Sequence, residues 1–392
     1  MNSFFATCEQ QANALLRNAP VGVAAYAGEN SILLAASIEA KRHGVKTGTS
    51  VRDARARCQN ITILENDPPK YRAISEQVSA ILVDYTDRIE PYSIDESFLD
   101  LTGWVHTWEE ARRKAEEIKQ RIRAEIGEWM SCSIGISVTK FLAKIGSDMR
   151  KPDGLTVITP GDLPDIYDGM ELTDLWGVAH GWEKRLARTN IHTIRQLYDY
   201  PLQNLISLFG KPGHTLYAHL HGLDAEPVTS EESAPQSISH QYAIPKKECT
   251  PQNLPNILMR LCEKVGARLR GHELVAHSIF LGLRLYDHPG SMQHVRLPYP
   301  VRATRDIYHH TTLLFRHRES LPRIHVLAVG VSRLSRATNQ LALFEPEQQN
   351  LASNHIDDIV DEINNKHGVR AITRANTLGS EQYVPDRIAF GK

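Results

Sequence analysis

The chain has no apolar run approaching the roughly eighteen residues of a membrane-spanning helix, so no helical span is expected. Its N-terminal stretch, MNSFFATCEQQ, has neither the basic start nor the apolar run of a secretory signal. Its five cysteines, Cys8, Cys58, Cys132, Cys249 and Cys262, are scattered and form no C-x-x-C pair. That argues against a disulfide or zinc framework and suits reduced thiols, so a cytoplasmic location is expected. No internal repeat or low-complexity tract stands out. Net charge is nearly absent too: -1 over 392 residues, which by itself gives no reason to expect a polyanionic partner.

What is present is ordinary in amount but uneven in placement. The chain is 41% hydrophobic and 23% charged, as in soluble globular proteins. It is too long for one core, and about two to four domains are expected. Between Gln236 and Phe344 there are 15 Lys and Arg against 6 Asp and Glu, leaving the remainder acidic by 10. One segment is therefore suited to a polyanion, although a solvated basic surface would look the same.

Asp67-Pro68-Pro69 marks a first boundary, and Tyr71 to Tyr85 reads as a helix with Ile74, Val78, Ile81 and Leu82 at helical spacing. Residues 91–101 read as a turn entering a strand. Thr107 and Glu110 fit a capping box, followed by a helix with Trp108, Ala111, Ala115, Ile118, Ile122 and Ile126 on one face. Met130 to Val138 alternates as a half-buried strand, Lys140 to Met149 resumes a helix, and Leu155 to Ile158 is a short strand. This order predicts one small sheet covered by helices on one face. Residues 160–228 read as short helices punctuated by glycine, and Ser230 to Pro235 as a linker. Beyond it, Ile238–Ile244, Ser278–Tyr286 and Ile324–Val331 read as strands around helices near 252–271 and 303–317. The tail holds an amphipathic helix with Ile356, Ile359, Val360 and Ile363 on one stripe and Gly368 as its stop.

Asp95-Glu96 stands at the mouth of a strand. Two adjacent carboxylates in a partly buried place repel unless a cation joins them, and oxygen donors of that charge suit Mg²⁺. A solvated acidic pair is the commoner explanation of such a dipeptide taken alone. Its surroundings change the weighting. Ser93-Ile94-Asp95-Glu96-Ser97-Phe98-Leu99-Asp100 resembles the signature of the Y-family DNA polymerases, the group that includes DNA polymerase IV and UmuC. Asn2 to Glu9 resembles that family's first motif, Ala36 to Thr49 its fingers motif, and Gly135 to Gly154 its third palm motif.

The resemblance implies an α+β multidomain right hand. Its expected parts are a palm (1–5 and 69–159), small fingers (6–68), a helical thumb (160–230), an α+β little finger (236–345) and a tail (346–392). It implies low-fidelity translesion synthesis, a nucleotidyl transfer from dNTP to a primer 3′-hydroxyl with two Mg²⁺ ions. Asp95 and Glu96 would be the catalytic and metal-ligating carboxylates. Asn2, Ser3, Phe4, Phe5, Ser37, Lys41 and Lys151 would surround the nucleotide. Phe5 would be the steric gate against a ribose 2′-hydroxyl, while Phe4 suits core packing. Small residues such as Ala36 and Ser37 would leave room for damaged template bases.

Leu175 to Gly181 resembles the family's helix-hairpin-helix, with Gly177 and Gly181 contacting DNA and Ala179 where a second glycine is usual. Phe209 to Gly213 could form a second hairpin. The basic segment would be the little finger on duplex phosphates. Gln340-Leu341-Ala342-Leu343-Phe344 resembles the peptide that binds the bacterial sliding clamp, with Gln340, Leu341, Leu343 and Phe344 as contacts. Partners would be primer-template DNA, dNTP, the clamp and, in some relatives, a UmuD-like protein. Expression in the damage (SOS) response is a family implication.

The sequence also departs from the family. An aspartate, the last residue of an apolar strand in the palm sheet, immediately precedes the Met1-Asn2-Ser3-Phe4-Phe5 stretch in other members and ligates the metals. The expectation is a start upstream of Met1 and poor catalysis by the chain as written. The rival is a catalytically impaired accessory protein docked on the clamp. Ile38 stands where many members have tyrosine, and Lys41 where some have arginine, which removes a bidentate fork.

Overall fold

Ser3 adopts a left-handed turn (φ 50°) and leads straight into helix α1 (Phe4–Ala12), which buries Phe4, Ala6, Cys8, Glu9 and Gln10. The computed structural model describes residues 1–26, 28–29, 31–223, 226–230, 234–286, 290–316, 324–337, 345–368, 371–380 and 382–385. These divide into two compact units, 1–232 and 233–386.

In the first unit, β1 (Val21–Ala24), β2 (Leu33–Ala36) and β3 (Thr62–Glu65) form a small sheet in the order β2-β1-β3. Helices α2 (Ile38–Arg42) and α3 (Val51–Arg57) each start on a serine whose hydroxyl accepts a backbone N–H, Ser37 from Ala40 and Ser50 from Asp53. Ala24, Leu33, Ala36, Val45, Val51 and Cys58 close a core of their own. The Asp67-Pro68-Pro69 boundary is a helix start: the Asp67 carboxylate accepts from Lys70 N, and proline at the first position lacks the N–H that would go unpaired. It opens α4 (Pro68–Leu82).

Residues 91–101 are half of a hairpin. β4 (Ile89–Ser93) and β5 (Glu96–Leu99) pair antiparallel, with Ser93 opposite Glu96. The capping box at Thr107 and Glu110 is present and opens α5 (Trp108–Arg121), which buries Ala111, Ala115 and Ile118. A π turn at Ile122–Ile126 ends it at Gly127.

Two expectations need correction here. Met130 to Val138 is not one strand: β6 covers Ile134–Ile136. Met130 and Cys132 are buried, but Val138 is 51% exposed, so the alternation outlasts the pairing. Nor is there one sheet. β6 pairs in parallel with β7 (Leu155–Val157), and β4–β5 stands as a separate pair. Between these pairs lie Met1 and Asn2, whose backbone nitrogens donate to Asp95 O and Ser131 O.

Helix α6 (Lys140–Met149) joins β6 to β7, starting on Thr139. Gly135 permits its close approach: a Cβ there would lie 1.9 Å from Ala143 O. Helices α7 (His180–Ala187), α8 (Ile194–Tyr198), α9 (Leu202–Phe209) and α10 (Lys211–Leu220) follow, with a core of Leu175, Leu186, Leu197, Leu205 and Leu216 shared with Phe141 and Leu142 of α6.

In the second unit, β8 (Ser237–Ala243), β9 (Leu274–Leu285), β10 (Ser291–Val301) and β11 (Ile324–Arg336) form an antiparallel sheet in the order β10-β9-β11-β8. Helices α11 (Leu254–Gly271) and α12 (Thr304–Arg316) bury Ile257, Leu261, Val265, Leu269 and Ile307 against Ile279, Leu281, Val329 and Val331. Strand β10 was not expected from sequence. It is an edge strand carrying Pro298 and Pro300, residues that argue against a strand from sequence although its burial alternates regularly.

The last helix, α13 (Glu345–His367), ends before Gly368 (φ 103°) as expected, but its expected apolar stripe is only partly covered, with Val360 and Ile363 half-buried. Ile356 is 62% and Ile359 44% exposed, whereas Asp357 is buried. Asp357 pairs with Arg270 and Arg374, Asp361 with Arg270, and Asp358 with Arg302. Charge pairing, rather than the aliphatic stripe, sets this helix's orientation. These pairs also engage Arg270 and Arg302, so part of the basic surplus of 236–344 meets the acidic tail.

Candidate active site

The β4–β5 hairpin is held at its tip. Ser93 Oγ donates to Asp95 Oδ1 (3.0 Å), which fixes the carboxylate against its own turn. Ser75 Oγ of α4 donates to Ile94 O at 2.6 Å. The Met1 ammonium donates to Asp95 O at 2.6 Å and stands 4.0 Å from Asp95 Oδ2. Asp95 and Glu96 are half-buried and line a groove of about 840 Å³, which Ser147, Lys144 and Lys151 also line.

Helix α6 and the turn after it bring the cations. Lys144 Nζ lies 2.5 Å from Glu96 Oε1 and 3.5 Å from Asp148 Oδ2, with only 16% of its side chain exposed. Burial would lower the Lys144 ammonium, but its bond to Glu96 and the charges of Glu96 and Asp148 hold it above the ordinary lysine value. Lys151 Nζ lies 2.5 Å from Asp148 Oδ1. Lys41 comes from α2. Partial desolvation and then the positive charge of Lys151 push it below the ordinary lysine value, so the two lysines share one field.

Residues 2–5 follow Met1, which itself lines the groove. Phe5 stacks on Tyr71, centroids 4.6 Å apart and planes 24° apart. Tyr71 is buried and donates its hydroxyl to Glu9 Oε1 at 2.7 Å, while Lys70 pairs with Glu9 Oε2 at 2.9 Å. Phe4 is in the core at 4% exposure. The Asn2 side chain is buried, donating to Ser131 Oγ and accepting from Ser133 Oγ. Ser3 Oγ is buried with no partner among the described residues. Ser37 is fully buried, and its hydroxyl serves Val21 N, Ala40 N and Ala19 O. The side chains of Asn2 and Ser37 are thus engaged within the fold, which leaves only the adjoining backbone for a nucleotide.

The donors fit a hard divalent cation in kind. Two partly exposed carboxylates offer oxygens into one groove. Among the described residues no set of three or more His, Cys, Asp or Glu converges as a metal cage. The remaining positions of an octahedron would fall to water and phosphate oxygens.

Residues 1–148 match the impB/mucB/samB family, and residues 235–343 match that family's C-terminal domain. The chain belongs to the Y-family DNA polymerases. As a member it is a DNA-directed DNA polymerase. It is 34% identical over 384 residues to DNA polymerase IV of Pelotomaculum thermopropionicum, covering 96% of this chain and 94% of that protein. It is 30% identical to DNA polymerase IV 1 of Bacillus subtilis, covering 100% and 95%. A solved Y-family DNA polymerase chimera, Dbh-Dpo4(243-245)-Dbh, has the same fold with a TM-score of 0.74 at 22% identity, covering 86% of this chain and 98% of that one.

The structure brings Asp95, Glu96 and Lys151 to one groove, which Lys41 does not line, although Lys41 feels the charge of Lys151. Sequence reasoning missed Lys144, Tyr71 and Glu9. Lys144 and Glu9 were inside quoted motifs, but nothing in a linear pattern says which side chain a helix turns toward a hairpin. Gly177 adopts φ 87°, which glycine tolerates, just ahead of α7, where Gly181 is the second residue. The second hairpin is present: α9 and α10 meet at Gly210, and a Cβ on Gly213 would lie 2.3 Å from Leu205 O. Gln340 to Phe344 lies outside the described residues. Among the described residues no helix is long and apolar enough to cross a membrane.

Proposed function

We propose that this polymerase performs low-fidelity translesion synthesis by two-metal nucleotidyl transfer from dNTP to a primer 3′-hydroxyl. The observation that carries the reading is the convergence of Asp95, Glu96 and Lys151 on one groove. A cation on a carboxylate-lined groove suits a metal-bound triphosphate, and Lys41, which feels the charge of Lys151, would add a second phosphate contact. Bound Mg²⁺ would supply charge stabilisation to the reacting phosphate and lower the pKa of the attacking hydroxyl. Asp95 and Glu96 would hold it. Phe5 would sit under the sugar, its ring fixed by Tyr71, and exclude a 2′-hydroxyl sterically. Backbone around Asn2 to Phe5 would position the triphosphate.

The reading assigns the palm to 1–5 and 69–159, fingers to 6–68, thumb to 160–230, little finger to 236–345 and a tail to 346–392. The thumb would hold DNA phosphates at the start of α7, near Gly177 and Gly181, where no side chain caps the first N–H groups. The little finger would offer its open sheet face. Arg284, Arg296 and Arg333 are exposed there on β9, β10 and β11. Such contacts would be independent of sequence and sensitive to salt.

Gln340-Leu341-Ala342-Leu343-Phe344 would bind a sliding clamp. Leu343→Ala with Phe344→Ala should abolish clamp stimulation and leave clamp-free synthesis intact; unchanged stimulation would sink this part. The main reading is tested by primer extension past a template lesion. Extension comparable with that on undamaged DNA is expected, and arrest at every lesion would reject the bypass function.

A further inference from the structure

Helix α6 contributes Lys144 and Asp148, which the proposed chemistry has not used, to a row of charges that links Glu96 to Lys151. Glu96, Lys144, Asp148 and Lys151 alternate in sign. Glu96 to Lys144 is 2.5 Å, Lys144 to Asp148 is 3.5 Å, and Asp148 to Lys151 is 2.5 Å. Lys144 and Asp148 are one turn apart on α6, which sets their spacing, and Lys151 lies in the turn just past the helix end. Gly135 lets α6 approach β6 without a Cβ between them. The Lys144 side chain is mostly buried, whereas Asp148 and Lys151 are 44% and 43% exposed.

We propose that Lys144 is a positioning residue, which holds the Glu96 carboxylate in place and, by sharing Asp148, governs how readily Lys151 is released to an incoming triphosphate. The inference rests on the polymerase reading above. A carboxylate shared by two ammonium groups grips each less firmly than it would grip one. With Lys144 in place, Lys151 can leave Asp148 for phosphate. Without it, Asp148 belongs to Lys151 alone and competes with the nucleotide, while Glu96 loses the partner that sets its direction.

Two measurements on the full chain test this: equilibrium dNTP binding on a primer ending in a dideoxynucleotide, and single-turnover extension of a normal primer. Lys144→Gln should weaken dNTP binding about threefold, the scale of a partly exposed ion pair. It should slow extension by about tenfold or more through the misplaced Glu96. Adding Asp148→Asn should return dNTP affinity to within about twofold of the parent, while extension stays slow. Lys144→Arg, which keeps the charge, should retain most of both. A purely structural Lys144 would produce neither this split nor this rescue.

The proposal is overturned if Lys144→Gln leaves both quantities unchanged, or if Asp148→Asn fails to restore affinity in that background. Asp148→Asn alone, made at an exposed side chain, should tighten dNTP binding, and weaker binding would overturn the proposal even if Lys144→Gln does not fold. If the parent shows no template-dependent primer extension with any dNTP, the polymerase reading itself falls, which separates the two failures.

Discussion

The ring of Phe5 stacks on that of Tyr71, with centroids 4.6 Å apart, and Tyr71 is in turn tied by its hydroxyl to the buried Glu9. The ring that would face the sugar is therefore held by a chain of contacts reaching into the core. Phe5→Ala should raise incorporation of ribonucleotides relative to deoxyribonucleotides by roughly tenfold or more, because the penalty is steric. Competition assays with paired rNTP and dNTP substrates measure it. An unchanged ratio would remove Phe5 from the gate role.

Lys41 sits below the ordinary lysine value because of partial desolvation and the charge of Lys151. It therefore gives up its proton at lower pH than an isolated lysine does. A bound triphosphate would favour its charged form and raise it again. The sign follows: dNTP affinity should fall as pH rises from neutral into the alkaline range, and Lys41→Gln should flatten that part of the profile. Equilibrium binding at several pH values is the measurement. An identical slope in the variant would contradict the assignment.

Asp357 is buried between Arg270 and Arg374 and also accepts from Thr304 N. Removing it leaves Arg270, itself buried, with Asp361 as its remaining carboxylate among the described residues, beside Arg302 O and Thr304 Oγ1. Asp357→Ala should cost about 3–5 kcal/mol, the usual effect of breaking a buried pair. Ile356→Ala, at an exposed position on the same helix, should cost within about 0.5 kcal/mol. Denaturant unfolding compares the two. Equal effects would mean that the apolar stripe, and not the charge network, anchors the tail.

That comparison also marks how far the sequence could be read. The capping box at Thr107, helix α6 and the second-unit helices followed from local pattern, because caps and helical periodicity are local signals. The family motifs pointed to Asp95, Glu96 and Lys151, which the structure brings to one groove. Non-local pairing was less legible. The alternation from Met130 to Val138 was real, but β6 covers only Ile134–Ile136. The stripe at Ile356 and Ile359 was also real, yet Asp357 and Asp361 face inward because Arg270 waits far away in sequence. Ser37 matched a nucleotide position and proved to be a buried helix cap. Lys144 was invisible for the same reason: its role depends on a hairpin 48 residues earlier.

The most direct test of the account is Mg²⁺-dependent, template-directed primer extension by the parent chain beside Asp95→Asn and Glu96→Gln. Both side chains are partly exposed, so the variants should fold and bind primer-template DNA as the parent does. Each is predicted to lower the extension rate by about a hundredfold or more, since each removes a charge that the metals and the reacting phosphate require. Extension by either variant at the parental rate would contradict the claim that this carboxylate pair is the catalytic centre.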